Sequence, residues 1–156
     1  MQAVQLRKAA RHRGVIFAFF GAGGLCGLSG MSWGAVMGAS HDFSLAPAHA
    51  HLNLLGWVTL SLMGSFYATA GASAPSRLAW VNWLLSTGGA IGMPAALAAL
   101  LSGHPAAEPF VAAGALSALG GMASFLLAAL LSWRGRRGPQ QPEAPRPPRL
   151  EPTGFA

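Results

Sequence analysis

The chain has 156 residues, of which 53% are hydrophobic and only 9% charged. An ordinary soluble domain has about a quarter of its residues charged, and here the charges sit outside the apolar runs, so a water-soluble globule would be left with a mostly apolar surface. The net charge of +6 raises nucleic-acid binding, which position argues against. Arg7, Lys8, Arg11 and Arg13 precede the first apolar run, and Arg134, Arg136 and Arg137 follow the last. That is the placement of membrane-orientation signals. The expected partner is a lipid bilayer and not a nucleic acid.

Residues 1–13 read as a basic amino-terminal segment. Four apolar stretches follow, at 14–39, 48–72, 78–102 and 109–133. At ~1.5 Å per residue, a helix of about 25 residues reaches roughly 38 Å, enough to cross a hydrocarbon core of about 30 Å with some tilt. A membrane strand would need only about ten residues. The predicted fold is all-α, an integral membrane four-helix bundle, with residues 14–137 as its transmembrane domain.

The first stretch has glycines at helical spacing: Gly23 and Gly27, then Gly30, Gly34 and Gly38. Small residues four apart let another backbone approach closely, so this face is expected to pack against a helix. It also offers room for a flat cofactor or a second copy. Cys26, the only cysteine, reads as a buried small hydrophobe. The rival reading, a signal peptide cut near Gly38-Ala39-Ser40, conflicts with the length of the run, since a signal core has about 7 to 15 apolar residues. In the third stretch Gly88, Gly92 and Pro94 predict close packing and a kink.

The joints are short, at 41–47, 73–77 and 103–108. With four spans, the amino terminus, Arg77 and the Arg134–Arg137 cluster share one side, while the other two joints carry only Asp42 and Glu108. The positive-inside rule then places both termini in the cytoplasm. Residues 138–156 are rich in Pro, Arg and Gln and read as a disordered cytoplasmic tail. Trp33, Trp57, Trp80, Trp83 and Trp133 read as interface anchors or packing residues.

Five histidines are candidates for chemistry: His12, His41, His49, His51 and His104. All but His12 fall on the outer side of the four-span scheme. Ionisable residues inside a membrane segment are costly and mark function. His49 and His51 open the second stretch, and residues two apart on a helix differ by about 200° in direction. They therefore point to opposite faces and do not bind one metal from a regular helix. Asn53, four residues after His49, shares its face, and Gly56 leaves space beyond it. His41, Asp42, His104 and Glu108, on two outer loops, have the chemistry of a copper or zinc site.

The run His49-Ala50-His51-Leu52-Asn53-Leu54-Leu55-Gly56-Trp57-Val58, continuing to Gly64-Ser65-Phe66-Tyr67, resembles the His-x-His helix of haem-copper oxidase subunit I. The likeness is closest to the C-family cytochrome oxidases and the nitric oxide reductases. Carried over by position, it implies that His49 faces a high-spin-type site and His51 a low-spin haem of b type. Subunit I is built from three arcs of four helices, so this chain is about one arc long. The departures are specific. The family's copper site needs further histidines, including an adjacent pair, and no adjacent pair exists here. Tyr67, the only tyrosine, lies toward the inner end and does not match the cross-linked tyrosine. One copy therefore cannot assemble an oxygen-reducing centre.

The resemblance implies a haem-binding protein of a bacterial inner (cytoplasmic) membrane, active in electron transfer or gas and redox sensing, with respiratory-chain redox proteins as partners. A low-spin haem wants two axial ligands. Met37, His41 and His104 are the candidates within the chain, and His51 of a second copy is the candidate across a homodimer. The alternatives are a cofactor-free accessory or structural subunit of a respiratory complex, and an outer-face copper or zinc protein.

Overall fold

The structure, a computed structural model, describes residues 2–136. The tail expected at 138–156 lies outside the described residues. Among those described there is no strand, and four long helices run up and down. The first is Gln2–Ser40, the third Ser76–Leu101 and the fourth Glu108–Arg136. The second, residues 46–70, is one continuous helix in three parts: α-helical Ala46–His51, π-helical Leu52–Thr59 and α-helical Leu60–Ala70. The expected four-helix architecture is present.

Among the described residues, three helices are long and apolar enough to cross a membrane: His12–Ser40, Ser76–Leu101 and Pro105–Arg134. Their outward faces carry large apolar side chains in the open, among them Phe17 at 74% exposure and Phe110 at 68%. Such faces suit lipid and would not suit water. One boundary differs from expectation. The basic segment is not a separate piece, because the first helix runs through it from Gln2 without a break.

The helix ends follow local chemistry. Pro47 sits in the first turn of the second helix, where its missing N–H costs nothing. Gly71 (φ +56°) and Gly103 (φ +89°) stop the second and third helices in the left-handed region, which glycine enters without a Cβ clash. His41 does the same for the first helix with φ +55°, an uncommon conformation for a residue with a side chain.

Burial from lipid gains little hydrophobic free energy, so close packing and polar contacts hold such helices together. The glycine stripe of the first helix meets the second helix, antiparallel and side chain by side chain. Gly34 lies against His49, Gly30 against Asn53, Gly27 against Trp57 and Gly23 against Ser61. A β-carbon added at Gly27 would lie 2.9 Å from Trp57 Cγ. The groove expected to accept a helix does so, and the space it offered to a flat cofactor is filled by these four side chains.

The π geometry explains the match. In an α-helix every fourth residue drifts by about 40° around the axis, so 49, 53, 57 and 61 would spiral off the partner. Hydrogen bonds from i to i+5 put more than four residues in a turn and hold the four nearly in line. Thr59 Oγ1 donates to Leu54 O at 2.8 Å, also five residues back.

The third and fourth helices form a second close pair. A β-carbon at Gly114 would meet Met93 Cα at 2.7 Å, and one at Gly89 would meet Ala118 Cα at 2.8 Å. The third helix also packs on the first two, and the fourth packs chiefly on the third. Arg13, Arg77 and Arg134 mark one end of the bundle, and the 41–45 and 102–107 joints mark the other. The aromatic core lies toward the arginine end, where Tyr67 stacks on Phe19 at 5.4 Å and Phe66 meets Phe125 edge-on at 5.0 Å.

Candidate functional site

His49 and His51 lie at the end of the bundle away from the arginines, in the α-helical opening of the second helix. Their environments differ as the 200° offset demands. His49 is half-buried and turned toward the first helix. Its ring meets the Trp33 indole edge-on at 6.3 Å and 84° and fills the notch at Gly34. The Asn53 side-chain N–H donates to His49 O at 3.0 Å and reaches the ring nitrogens at 3.3 and 3.4 Å. Asn53 therefore sits on the face of His49 as expected, holding it in the groove.

His51 is exposed on the opposite side. Its Nδ1–H donates to Pro47 O at 2.7 Å, one turn back. A carbonyl accepts only, so this bond fixes the tautomer and leaves the lone pair on Nε2. Nε2 makes no hydrogen bond among the described residues. An exposed ring anchored through Nδ1 with Nε2 unbonded is compatible with metal ligation, in which the second nitrogen is held by a carbonyl or carboxylate.

Comparison of the chain with protein-family models, with curated proteins and with solved structures finds no match.

The other candidates are not brought to His51. Met37 is buried, 7% exposed, one turn beyond Gly34 on the glycine face of the first helix. That face receives His49, while His51 looks the other way. Gly56 gives no room to a ligand, because a β-carbon there would lie 2.5 Å from Cys26 Cβ. The thiol side chain of the first helix occupies that space. His41 and His104 are exposed at the loops, and His104 Nδ1–H donates to Ala99 O at 3.2 Å. Among the described residues no three of His, Cys, Asp and Glu gather to hold a metal, so His41, Asp42, His104 and Glu108 form no such centre within one chain. His12 sits at the far end, its Nε2–H donating to Tyr67 O at 2.9 Å.

An apolar recess of about 250 Å³ opens between the first and third helices, lined by Leu25, Cys26, Ser29, Trp33, Leu52, Ile91, Pro94 and Ala95. It is smaller than the roughly 300 to 1,000 Å³ of sites for drug-sized ligands, and too small to enclose a porphyrin. Trp33 lies between this recess and His49.

Three contributors were not singled out from sequence: Trp33 and Gly34 as the seat of His49, and the Pro47 carbonyl as the anchor of His51. No residue type marked the first two, since His49 and Gly34 lie on different helices and their match follows from the π segment Leu52–Thr59.

Proposed function

We propose that the protein binds haem through His51, with the iron shared between two copies related by a two-fold axis. The observation that carries this reading is the Nδ1–H bond from His51 to Pro47 O at 2.7 Å, which leaves a free Nε2 lone pair on an exposed ring. Imidazole nitrogen suits haem iron. Each chain offers one such ligand, and Met37 is buried on another face, so the second axial ligand comes from outside the chain. A two-fold axis supplies it by repeating the same patch.

The resemblance of residues 49–67 to the His-x-His helix of haem-copper oxidase subunit I supports the same reading for His51. His49 takes a different part in it. Seated against Gly34 and Trp33 under the Asn53 amide, it holds the second helix against the first. The stoichiometry is then one haem per two chains. Bound haem would supply a one-electron iron couple suited to electron transfer or redox and gas sensing. With no adjacent histidine pair in the sequence, turnover of oxygen by one copy is not part of the proposal. Respiratory-chain redox proteins are the proposed partners.

Arg13, Arg77 and Arg134 at one end and Asp42 and Glu108 at the other support cytoplasmic termini by the positive-inside rule. The haem then lies near the outer surface of a bacterial inner membrane. A copper or zinc site on the outer loops has no support in the single chain, since no three-ligand group forms among the described residues.

The test is an optical spectrum of the protein purified in detergent from haem-replete cells, oxidised and dithionite-reduced. A Soret band with sharp reduced α and β bands, lost in His51→Ala, is the expected result. A featureless spectrum from the unmodified protein would sink the reading and leave the cofactor-free accessory subunit.

A further inference from the structure

Three arginines stand exposed at the end of the bundle opposite the histidine pair: Arg13 on the first helix, Arg77 on the third and Arg134 on the fourth. Each lies where the apolar part of its helix meets the polar end. Four residues farther into the span, the same helices carry Phe17, Val81 and Leu130, between 49% and 74% exposed. Residues four apart share a helix face. On all three helices, then, a cationic side chain stands over an open apolar one.

Tryptophan marks the depth at which this happens. A β-carbon added at Gly14 would lie 3.6 Å from the Trp80 ring, and Trp80 meets Trp83 edge-on at 5.5 Å. Arg13 precedes Gly14, Arg77 lies three residues before Trp80, and Arg134 follows the exposed Trp133. Tryptophan collects at the level of lipid headgroups, so the three arginines stand at that level. Among the described residues the only carboxylates are Asp42 and Glu108, both at the other end. No carboxylate of the described chain neutralises these cations.

A nucleic acid or an acidic protein would meet the arginines and leave the apolar side chains beneath them bare. A phospholipid has both parts, an anionic phosphate above and hydrocarbon below. Guanidinium pairs with phosphate through two parallel hydrogen bonds, and acidic lipids attract basic residues at the cytoplasmic ends of spans. A choline headgroup brings its own cation, which an arginine repels, so a headgroup of net negative charge is preferred.

We propose that Arg13, Arg77 and Arg134 select anionic phospholipids, with the phosphate at the guanidinium and an acyl chain along Phe17, Val81 or Leu130. The first helix continues past Arg13 to Gln2, and that run adds Arg7, Lys8 and Arg11 to the positive charge over the same leaflet. The selection is independent of haem and of His51.

The test uses the full chain in detergent, incubated with equal amounts of phosphatidylglycerol and phosphatidylcholine of identical acyl chains. Unbound lipid is removed, and the lipids retained are counted by mass spectrometry. The expected result is an excess of phosphatidylglycerol that falls about fivefold with each of Arg13→Gln, Arg77→Gln and Arg134→Gln and is unchanged in Asp42→Asn. Lysine at the same three positions keeps the excess. Melting of the glutamine variants at the parent temperature shows that lipid and not the fold was lost. Equal retention of the two lipids by the parent overturns the proposal, as does an excess that survives all three glutamine substitutions together. Displacement of phosphatidylglycerol by glycerol phosphate, beyond that by chloride at the same ionic strength, overturns it in favour of a site for free phosphate.

Discussion

The His49 ring rests on the bare backbone of Gly34: a β-carbon at position 34 would lie 2.9 Å from His49 Cε1. The ring therefore occupies volume that any other residue at 34 would claim, and the second helix reaches its packing distance only because position 34 has no side chain. Atoms so placed cannot both stay where they are if a methyl is added.

Gly34→Ala and Gly27→Ala are accordingly expected to lower stability by about 1–3 kcal/mol, the usual cost of overpacking. Gly24→Ala, on the same helix but with nothing within 4 Å of the new atom, is expected to be neutral or slightly stabilising, since alanine favours the helix. Thermal melting in one detergent, with the three variants side by side, checks the order. Equal melting of all three would refute the groove as the packing interface.

Gly114→Ala should be worse than Gly27→Ala. At position 27 the clash is with the Trp57 side chain, whereas at 114 it is with Met93 Cα, 2.7 Å away. Backbone cannot swing aside, so the third and fourth helices must separate. The same melting series decides this, and a milder effect at 114 would contradict it.

His49→Ala and His51→Ala are expected to separate two properties. The first removes the ring that fills the Gly34 notch and the contacts with Asn53, so melting falls by about 1–3 kcal/mol while the haem spectrum is retained. The second leaves melting of the haem-free protein close to that of the parent and abolishes the spectrum. Loss of haem from His49→Ala with His51 intact would move the ligand to the inward face.

Asn53→Leu removes the bond to His49 O at 3.0 Å and places an apolar group against Gly30. The expected loss is about 1 kcal/mol for the hydrogen bond, with a further cost from the larger shape in the groove. Melting of Asn53→Leu beside Asn53→Ala separates the two contributions, and a variant more stable than the parent would show that the amide carries no useful contact.

Asp42 offers a pH readout at the loop end. Its Oδ1 accepts the Ser44 N–H at 3.0 Å, and that backbone hydrogen bond holds the carboxyl below the usual aspartate range. A folded-state value below the unfolded one means the turn is fully supported above about pH 4, near the ordinary aspartate value, and loses that support as pH falls through the folded value. A carboxyl-carbon titration by NMR should show a midpoint below 3.9, roughly the unperturbed value. Ser44→Pro, which removes the donor, should raise it.

The four helices were legible because lipid demands long unbroken apolar runs, and each boundary inside the bundle falls within a few residues of the run that announced it. The start of the first helix was not, because residues such as Arg7 and Lys8 neither favour nor forbid helix, and charge alone suggested a separate segment. The opposition of His49 and His51 was legible from helical geometry. What filled the glycine groove was not: stripe and partner lie on different helices, and their match depends on the π geometry of Leu52–Thr59, which no residue in that run signals. The space ascribed to Gly56 was misjudged for a related reason, since a glycine shows only that a side chain is missing and Cys26 supplies the neighbour.

The π segment also changes how the second helix counts its residues. Because each of its turns holds more than an α turn does, residues 52–59 carry surplus chain for the height they span. In an ordinary helix, deleting one residue twists everything beyond it by about 100° and would swing Ser61 off Gly23. Here a deletion within 52–59 can be absorbed by winding back to α geometry, leaving both flanks facing as before. The helix thus holds a slack residue between the histidines and the aromatic core, and its two ends can change independently.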